Sequence, residues 1–512
     1  MARIGAAFTA LLLLAGPAAA QDGTRVRDQV RAWRTAHERE IVRELTDLLA
    51  LRNVASDLGD IRRNADHLME MLRRRGFETR LLEGGEGSRP AVYGELKAPG
   101  ARRTVVFYAH YDGQPVDPSR WHSDPWKPVL RTGPLGGDGV REMNPAAVQG
   151  PFGGEWRIFA RSASDDKSPI VALLASLDAL RASGVRPSVN IKLFLEGEEE
   201  AGSTHLTDLL QRHAALLAAD AWILCDGPVH QTRRMQVYFG ARGVSGLEIT
   251  IYGPLRPLHS GHYGNWAPNP AVELAHLLAS LRDTEGRILI PGFYDDVRPI
   301  SAAERQAIAK LPPVEADLQQ ELALGRTEGK GARLQEQVML PALNLHGFAS
   351  GKVGAETANA IPTEAVAAID FRLVPDQTPE HVRQKVEDFL RGQGWHIVSE
   401  EPDAATRRSH PRLVRLDWSL DYPPARTDMT LPVSRAVVKA ASEAAGEPVL
   451  EMPILGGSVP IYLFTEALKV PILGVPMVNH DNNQHGADEN LRLQNLWDGI
   501  ETYATLMARL DW

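Results

Sequence analysis

The densest run of acid in this chain is Leu195-Glu196-Gly197-Glu198-Glu199-Glu200, with four carboxylates in five positions directly after the apolar stretch at 189–194. Like charges at that spacing disfavour one another's ionised form unless a cation sits among them. Two other apolar runs end in similar chemistry. The stretch 104–109 (TVVFYA) leads into His110-Tyr111-Asp112, and 221–225 (AWILC) leads into Asp226. Imidazole nitrogens and carboxylate oxygens are ligands of zinc and similar divalent ions, and paired ions sit about 3.5–4 Å apart. Two dications need roughly five protein ligands, about three of them anionic. His110, Asp112, Asp165, Glu199, Glu200, Asp226 and His485 form an adequate inventory. Alternate residues of a strand face the same side, so Asp112 is placed to back the ring of His110 and fix its tautomer. Adjacent Glu199 and Glu200 diverge if extended, which lets one bind metal while the other meets a water as general base. A solvated acidic edge remains the alternative on these residues alone, because nothing local brings His485 to the others.

Such groups need a sheet to position them. Strand-like runs at 79–82, 91–96, 104–109, 189–195 and 221–225 alternate with helical patterns, clearest at 168–183. That alternation predicts an α/β sheet, whose ligands sit beyond the carboxyl ends of its strands. Residues 24–75 read as helical, with Gly76 as the stop. The Gly/Pro-rich stretch 130–155 has no periodicity and reads as a surface loop. From Arg233 the character changes. Runs at 235–239 and 245–251 alternate like half-buried antiparallel strands, a helix follows at 271–282, and a strand at 365–373 leads into a helix at 379–392. The polar helical stretch 301–327 reads as an excursion of this region. Near Tyr422 the chain returns, with a helix at 431–445 and a strand-like run at 470–475 ahead of His480 and His485.

The expected fold is therefore α/β. A catalytic domain with a central, mostly parallel sheet of phosphorylase/hydrolase-like kind carries an inserted α+β lid, or dimerisation, domain. The expected division is a signal peptide at 1–20, catalytic domain at 21–234 and 423–512, and insert at 235–422. A chain of 512 residues exceeds what one core usually fills, in keeping with two domains. A net charge of −9, with no Lys/Arg cluster that reads as a nucleic-acid footprint, argues against a nucleic-acid partner. Arg73-Arg74-Arg75 reads as a solvated helix face. No segment reads as a membrane span. At the N-terminus, Arg3 precedes the apolar run 6–15, too short for a bilayer that needs about 20 residues. Small residues at 17–20 then offer a cleavage site before Gln21. This predicts a signal peptide and a periplasmic or secreted location. The single cysteine, Cys225, forms no disulfide.

Four stretches in order, "YAHYDGQPV" around His110, "SASDDKS" around Asp165, "EGEEEAGS" and the late "HGADENL", resemble the dinuclear aminoacylase/carnosinase family of metallopeptidases. The match in order and separation covers nearly the whole chain after residue 20. "LHSGHYGN", "ILIPG", "RLVPDQ" and "LGGSVPI" are most similar to the cytosolic nonspecific dipeptidase and carnosine dipeptidase branch. The resemblance implies two divalent ions, zinc foremost with manganese or cobalt also suited. Asp165 would bridge them, His110 and Asp226 would complete one site, and Glu200 and His485 the other. It further implies Glu199 as the base for a water bridging the two metals, Asp112 behind His110, and a cis peptide between Asp165 and Asp166. His259 would polarise the scissile carbonyl in the neighbouring subunit of a homodimer. Arg372 and the loop Gly456-Gly457-Ser458 would hold the carboxylate of a small peptide.

The chain departs from the family pattern at Ser168, at Ala160-Arg161-Ser162, and at Ile454-Leu455, where the dipeptidases carry Arg-Glu. The last departure bears on recognition of the substrate's C-terminus. Several tempting residues have plainer readings: His262 as a rim residue, His480 as a hydrogen-bonding turn residue, Cys225 as strand core, and Trp121 and Trp126 as loop packing. Ser162, Ser164 and Ser168 lack the surroundings of a nucleophile elbow. The expected activity is metal-dependent hydrolysis of the amide of dipeptides or short peptides with a free C-terminus. N-acyl or N-carbamoyl amino-acid hydrolysis is the alternative within the chemistry. A non-catalytic peptide-binding dimer is the alternative outside it, disfavoured because binding has no need of Glu199.

Overall fold

A computed structural model describes residues 22–512; the signal-peptide reading at 1–20 falls outside the described residues. The strand Thr104–His110 alternates between two cores, with Val105, Phe107 and Ala109 on one face and Val106 and Tyr108 on the other. Ile223 and Trp222 divide in the same way on Ala221–Leu224. Both faces of these strands are covered, which is why they read as unbroken apolar runs. One face packs under the helices Gly23–Leu49, Lys167–Ala182 and Leu493–Arg509. The other holds an aromatic cluster in which Phe464 lies 5.0 Å from Trp222 and 5.2 Å from Tyr108, centroid to centroid.

These strands belong to an eight-stranded mixed sheet, in the order Glu78–Leu82, Ala91–Leu96, Asn190–Glu196, Thr104–His110, Ala221–Leu224, Ile472–Gly474, Gln236–Tyr238, Leu450–Met452. The four strands from Asn190–Glu196 to Ile472–Gly474 run parallel. Their carboxyl ends therefore open on one edge, and the segments bearing His110, Glu199, Asp226 and His485 leave from it. A second, five-stranded sheet is ordered Ala342–Ala349, Glu364–Leu373, Gly243–Tyr252, Leu413–Tyr422, His396–Val398, and all but the last pairing are antiparallel. The helices Pro270–Leu281 and Pro379–Gly392 supply its core with Leu274, Leu277, Leu281, Val382, Val386 and Leu390. The molecule thus combines a catalytic α/β domain with an inserted α+β lid domain.

Three local expectations change. The helical stretch expected over 24–75 divides into two helices, Gly23–Leu49 and Leu58–Arg74. Asp57 caps the second by accepting from the Asp60 amide at 2.9 Å, and a side-chain cap of that kind starts a new helix. The stretch 130–155 is only partly loop. Val129–Arg131 and Glu142–Met143 join Arg157–Phe159 and Asn490–Arg492 in a four-stranded sheet, held by non-local pairing that periodicity does not register. The strand expected within 235–239 is fully buried and lies in the large sheet, where its backbone pairs with Leu450–Met452. Among the described residues, no helix is long and apolar enough to cross a membrane.

Candidate active site

Three loops at the carboxyl edge converge on Asp165. Its Oδ1 lies 2.8 Å from His110 Nε2, and its Oδ2 lies 3.1 Å from His485 Nε2. His485 Nε2 is also 3.2 Å from Glu200 Oε2, so the C-terminal segment does rejoin the first sheet. Asp112, fully buried, is 3.4 Å from His110 Nδ1 through Oδ1. Its two oxygens also accept the backbone amides of Glu199, at 3.1 Å, and Glu200, at 3.0 Å. With the main-chain carbonyl of Asp112 3.2 Å from the same Nδ1, this one residue orients both the imidazole and the acidic turn. That turn needs Gly197, where an added Cβ would stand 2.5 Å from the Tyr111 hydroxyl and 2.9 Å from the Pro90 carbonyl oxygen.

The crowding has electrostatic consequences. Burial and then the charge of Asp165 push the Glu200 carboxyl up to about 8 and that of Asp226 to about 6. Glu199 is driven well above the ordinary carboxylate range by burial, to which Asp226, Asp165 and Glu200 add against the attraction of His110. Asp165 moves down. Burial opposes its charge, but hydrogen bonds from His110 and His485 outweigh it. For His110, burial opposes protonation, and the bonds to Asp112 and Asp165 overcome it and raise its pKa.

Two triads have ligand atoms within 4.8 Å of one another: His110 with Asp166 and Asp226, and Asp165 with Glu200 and His485. Asp166 Oδ1 is buried without a hydrogen-bond partner. Cations stabilise crowded carboxylates of this kind in their charged form, and the nitrogen and oxygen donors suit a pair of divalent ions. The residues present fit a dinuclear centre.

Arg372 and Ser458 also come together, with Arg372 Nη1 donating to Ser458 Oγ at 2.8 Å, while Gly456 and Gly457 lie exposed beside them on the same loop. Ile454 is fully buried against Ile308 and Met339, so the family's arginine is replaced here by core. His259 stands apart. It is exposed, its Nδ1 accepts the Gly261 amide at 3.1 Å, and its ring lies 4.5 Å from that of His262. Among the described residues, no hydrogen bond or ion pair joins it to the Asp165 cluster. His480 and His262 are exposed, and Cys225 is buried. The peptide between Asp165 and Asp166 is cis.

Sequence reasoning passed over three further groups. Asp166 Oδ2 accepts the His110 amide at 3.2 Å, Gln114 Nε2 donates to Glu200 Oε2 at 2.6 Å, and Glu489 binds the backbone around Asp165. All three sit inside the quoted motifs, one to four residues from a named candidate. They went unread because each acts through a neighbour's backbone or side chain.

Convergent histidines and carboxylates at a parallel sheet's edge, beside a second domain, define a metal-dependent hydrolase. The model of peptidase family M20/M25/M40 matches residues 106–509, and the chain belongs to that family of metallopeptidases. It is 28% identical to a Cys-Gly metallodipeptidase of Candida albicans, over 90% of this chain and 93% of the relative. It is 26% identical to the human Beta-Ala-His dipeptidase, over 82% and 77%. The solved M20 family metallo-carboxypeptidase of Sulfolobus solfataricus superposes with a TM-score of 0.73 at 27% identity, covering 92% and 99%. The expected periplasmic or secreted location is corrected by these relationships, since the dipeptidase relatives give it no support.

Proposed function

We propose that this metallopeptidase hydrolyses the amide bond of dipeptides or short peptides with a free C-terminus. The observation that carries the reading is Asp165, which faces His110 through one oxygen and His485 through the other. In this reading His110, Asp165 and Asp226 hold one divalent ion, and Asp165, Glu200 and His485 the other, with zinc the leading candidate. Two ions so held would supply an acidified water and polarise a carbonyl. Glu199, anchored by Asp112 through its own amide, takes the water's proton on its carboxylate and returns it to the leaving amine. Arg372 and Ser458 receive the substrate's carboxylate, where a planar guanidinium matches the two oxygens. The test is a panel of dipeptides, N-acetyl and N-carbamoyl amino acids with protein stripped by a chelator and reloaded with zinc, manganese or cobalt. Dipeptide hydrolysis should vanish on stripping and return on reloading. Turnover of the acylated amino acids alone would overturn the substrate assignment.

His259 completes the reading as a residue acting in trans across a homodimer built through a lid that lies within 235–422. Because its Nδ1 accepts the Gly261 amide, the neutral ring carries its proton on Nε2, a donor suited to a carbonyl oxygen. A two-fold pair of lids offers a way to bring that donor to the partner's metals. Mixing His259→Ala and Glu199→Gln subunits tests it. Each homodimer should be inactive, and the heterodimer should regain about half the activity per site pair, because one site then has both groups intact. Confirmed subunit exchange without recovery would place His259 outside the trans role.

A further inference from the structure

The segment that carries His485 is stitched to the loop that carries Asp165, and one side chain does most of the stitching. Glu489 is fully buried. Its Oε1 accepts the amides of Ser164, at 2.8 Å, and Asp165, at 2.9 Å. Its Oε2 accepts the amide of Ser162 at 2.9 Å and Arg161 Nη1 at 2.8 Å. Arg161 Nη2 in turn donates to the Gly486 carbonyl at 3.1 Å, next to His485. The two segments hold non-glycine residues in the left-handed region, with φ of 61° at Ser162, 56° at Asn483, 62° at His485 and 58° at Asp488. Backbone of that kind persists only where its surroundings over-determine it.

We propose that Glu489 is a positioning residue for the metal pair, fixing Asp165 and His485 in one frame so that both face the same ions. The inference rests on the reading of Asp165 and His485 as metal ligands. A neutral amide cannot replace the carboxylate. Glutamine offers one oxygen, and its NH2 would meet either the paired amides of Ser164 and Asp165 or the Ser162 amide and Arg161, all of them donors. Outer partners of this type typically contribute about 10–100-fold to metal affinity. A purely structural role is the rival explanation, because Glu489 also forms a buried ion pair. Glu501 provides the matched comparison. It is also buried and pairs with Arg31 and Arg34 on the helical face, in a different set of contacts from the Asp165 loop.

The experiment titrates zinc into the chelator-treated full-length protein and measures stoichiometry and affinity by calorimetry, with the thermal midpoint of the metal-free protein recorded alongside. Glu489→Gln should bind zinc about tenfold or more weakly, while Glu501→Gln lowers the thermal midpoint and keeps the wild-type affinity. Glu489→Asp keeps the charge but loses one methylene of reach, and it should also bind more weakly if the glutamine variant fails to fold. Wild-type affinity in either folded Glu489 variant would overturn the proposal, as would an equal loss in Glu501→Gln. A wild-type protein that takes up no second equivalent of zinc would overturn the underlying ligand assignment, a result distinguishable from failure of Glu489 alone.

Discussion

Glu199→Gln should retain metal and lose turnover. The amide fills the volume of the carboxylate and keeps the backbone link to Asp112, which the side chain does not supply. What disappears is the group that accepts a proton from water. Loss of a general base typically lowers turnover by about 10²–10⁴-fold. The effect should fall on kcat rather than on KM, because substrate is held by other groups. Metal analysis of the same preparation distinguishes this from collapse of the centre. Near-normal kcat in a variant that carries its full metal content would remove Glu199 from the reaction.

Glu199 also shows where sequence is informative. Its strand, its neighbour Glu200 and the edge it occupies were legible because a buried parallel strand is an unbroken apolar run, and the acids that follow stand out against it. The same holds for His110 and Asp226. The helix Pro379–Gly392 was legible to its ends, since Thr378 supplies a cap and Pro379 a first turn. Less legible was whatever depends on chain segments meeting at long range. The small sheet that joins Val129–Arg131 to Asn490–Arg492 spans most of the chain in sequence. Glu489 draws no attention in the sequence, because its oxygens accept the backbone amides of Ser162, Ser164 and Asp165. A backbone donor has no signature in sequence, so side chains that work by binding backbone stay hidden while metal-ligand types announce themselves. Residues 24–75 illustrate a different limit. Helical composition runs through the break, and only the capping bond of Asp57 marks it.

Asp165→Ala should fail differently from Glu199→Gln, by losing metal together with activity. Two dications about 4 Å apart repel by roughly 16 kcal/mol at an effective dielectric near 20, four times the unit-charge figure. A carboxylate set between them, one oxygen toward each, offsets much of that repulsion, and Asp165 is the acid whose two oxygens face His110 and His485 separately. It also has its pKa held down where Glu200 and Asp226 are pushed up, so it is the acid best kept anionic at neutral pH. On the proposed ligand assignment, alanine would leave the remaining ligands with two cations and no shared anion. At least one equivalent should then be lost on dialysis, and hydrolysis should drop to background. Asp165→Asn separates charge from shape, since it keeps the side chain's size and should still lose an equivalent. The measurement is metal per chain by elemental analysis on dialysed, folded protein. Two equivalents retained in both variants would move the bridging role to another acid, for which Asp166, with a buried and unpartnered oxygen beside His110 and Asp226, is the structural candidate.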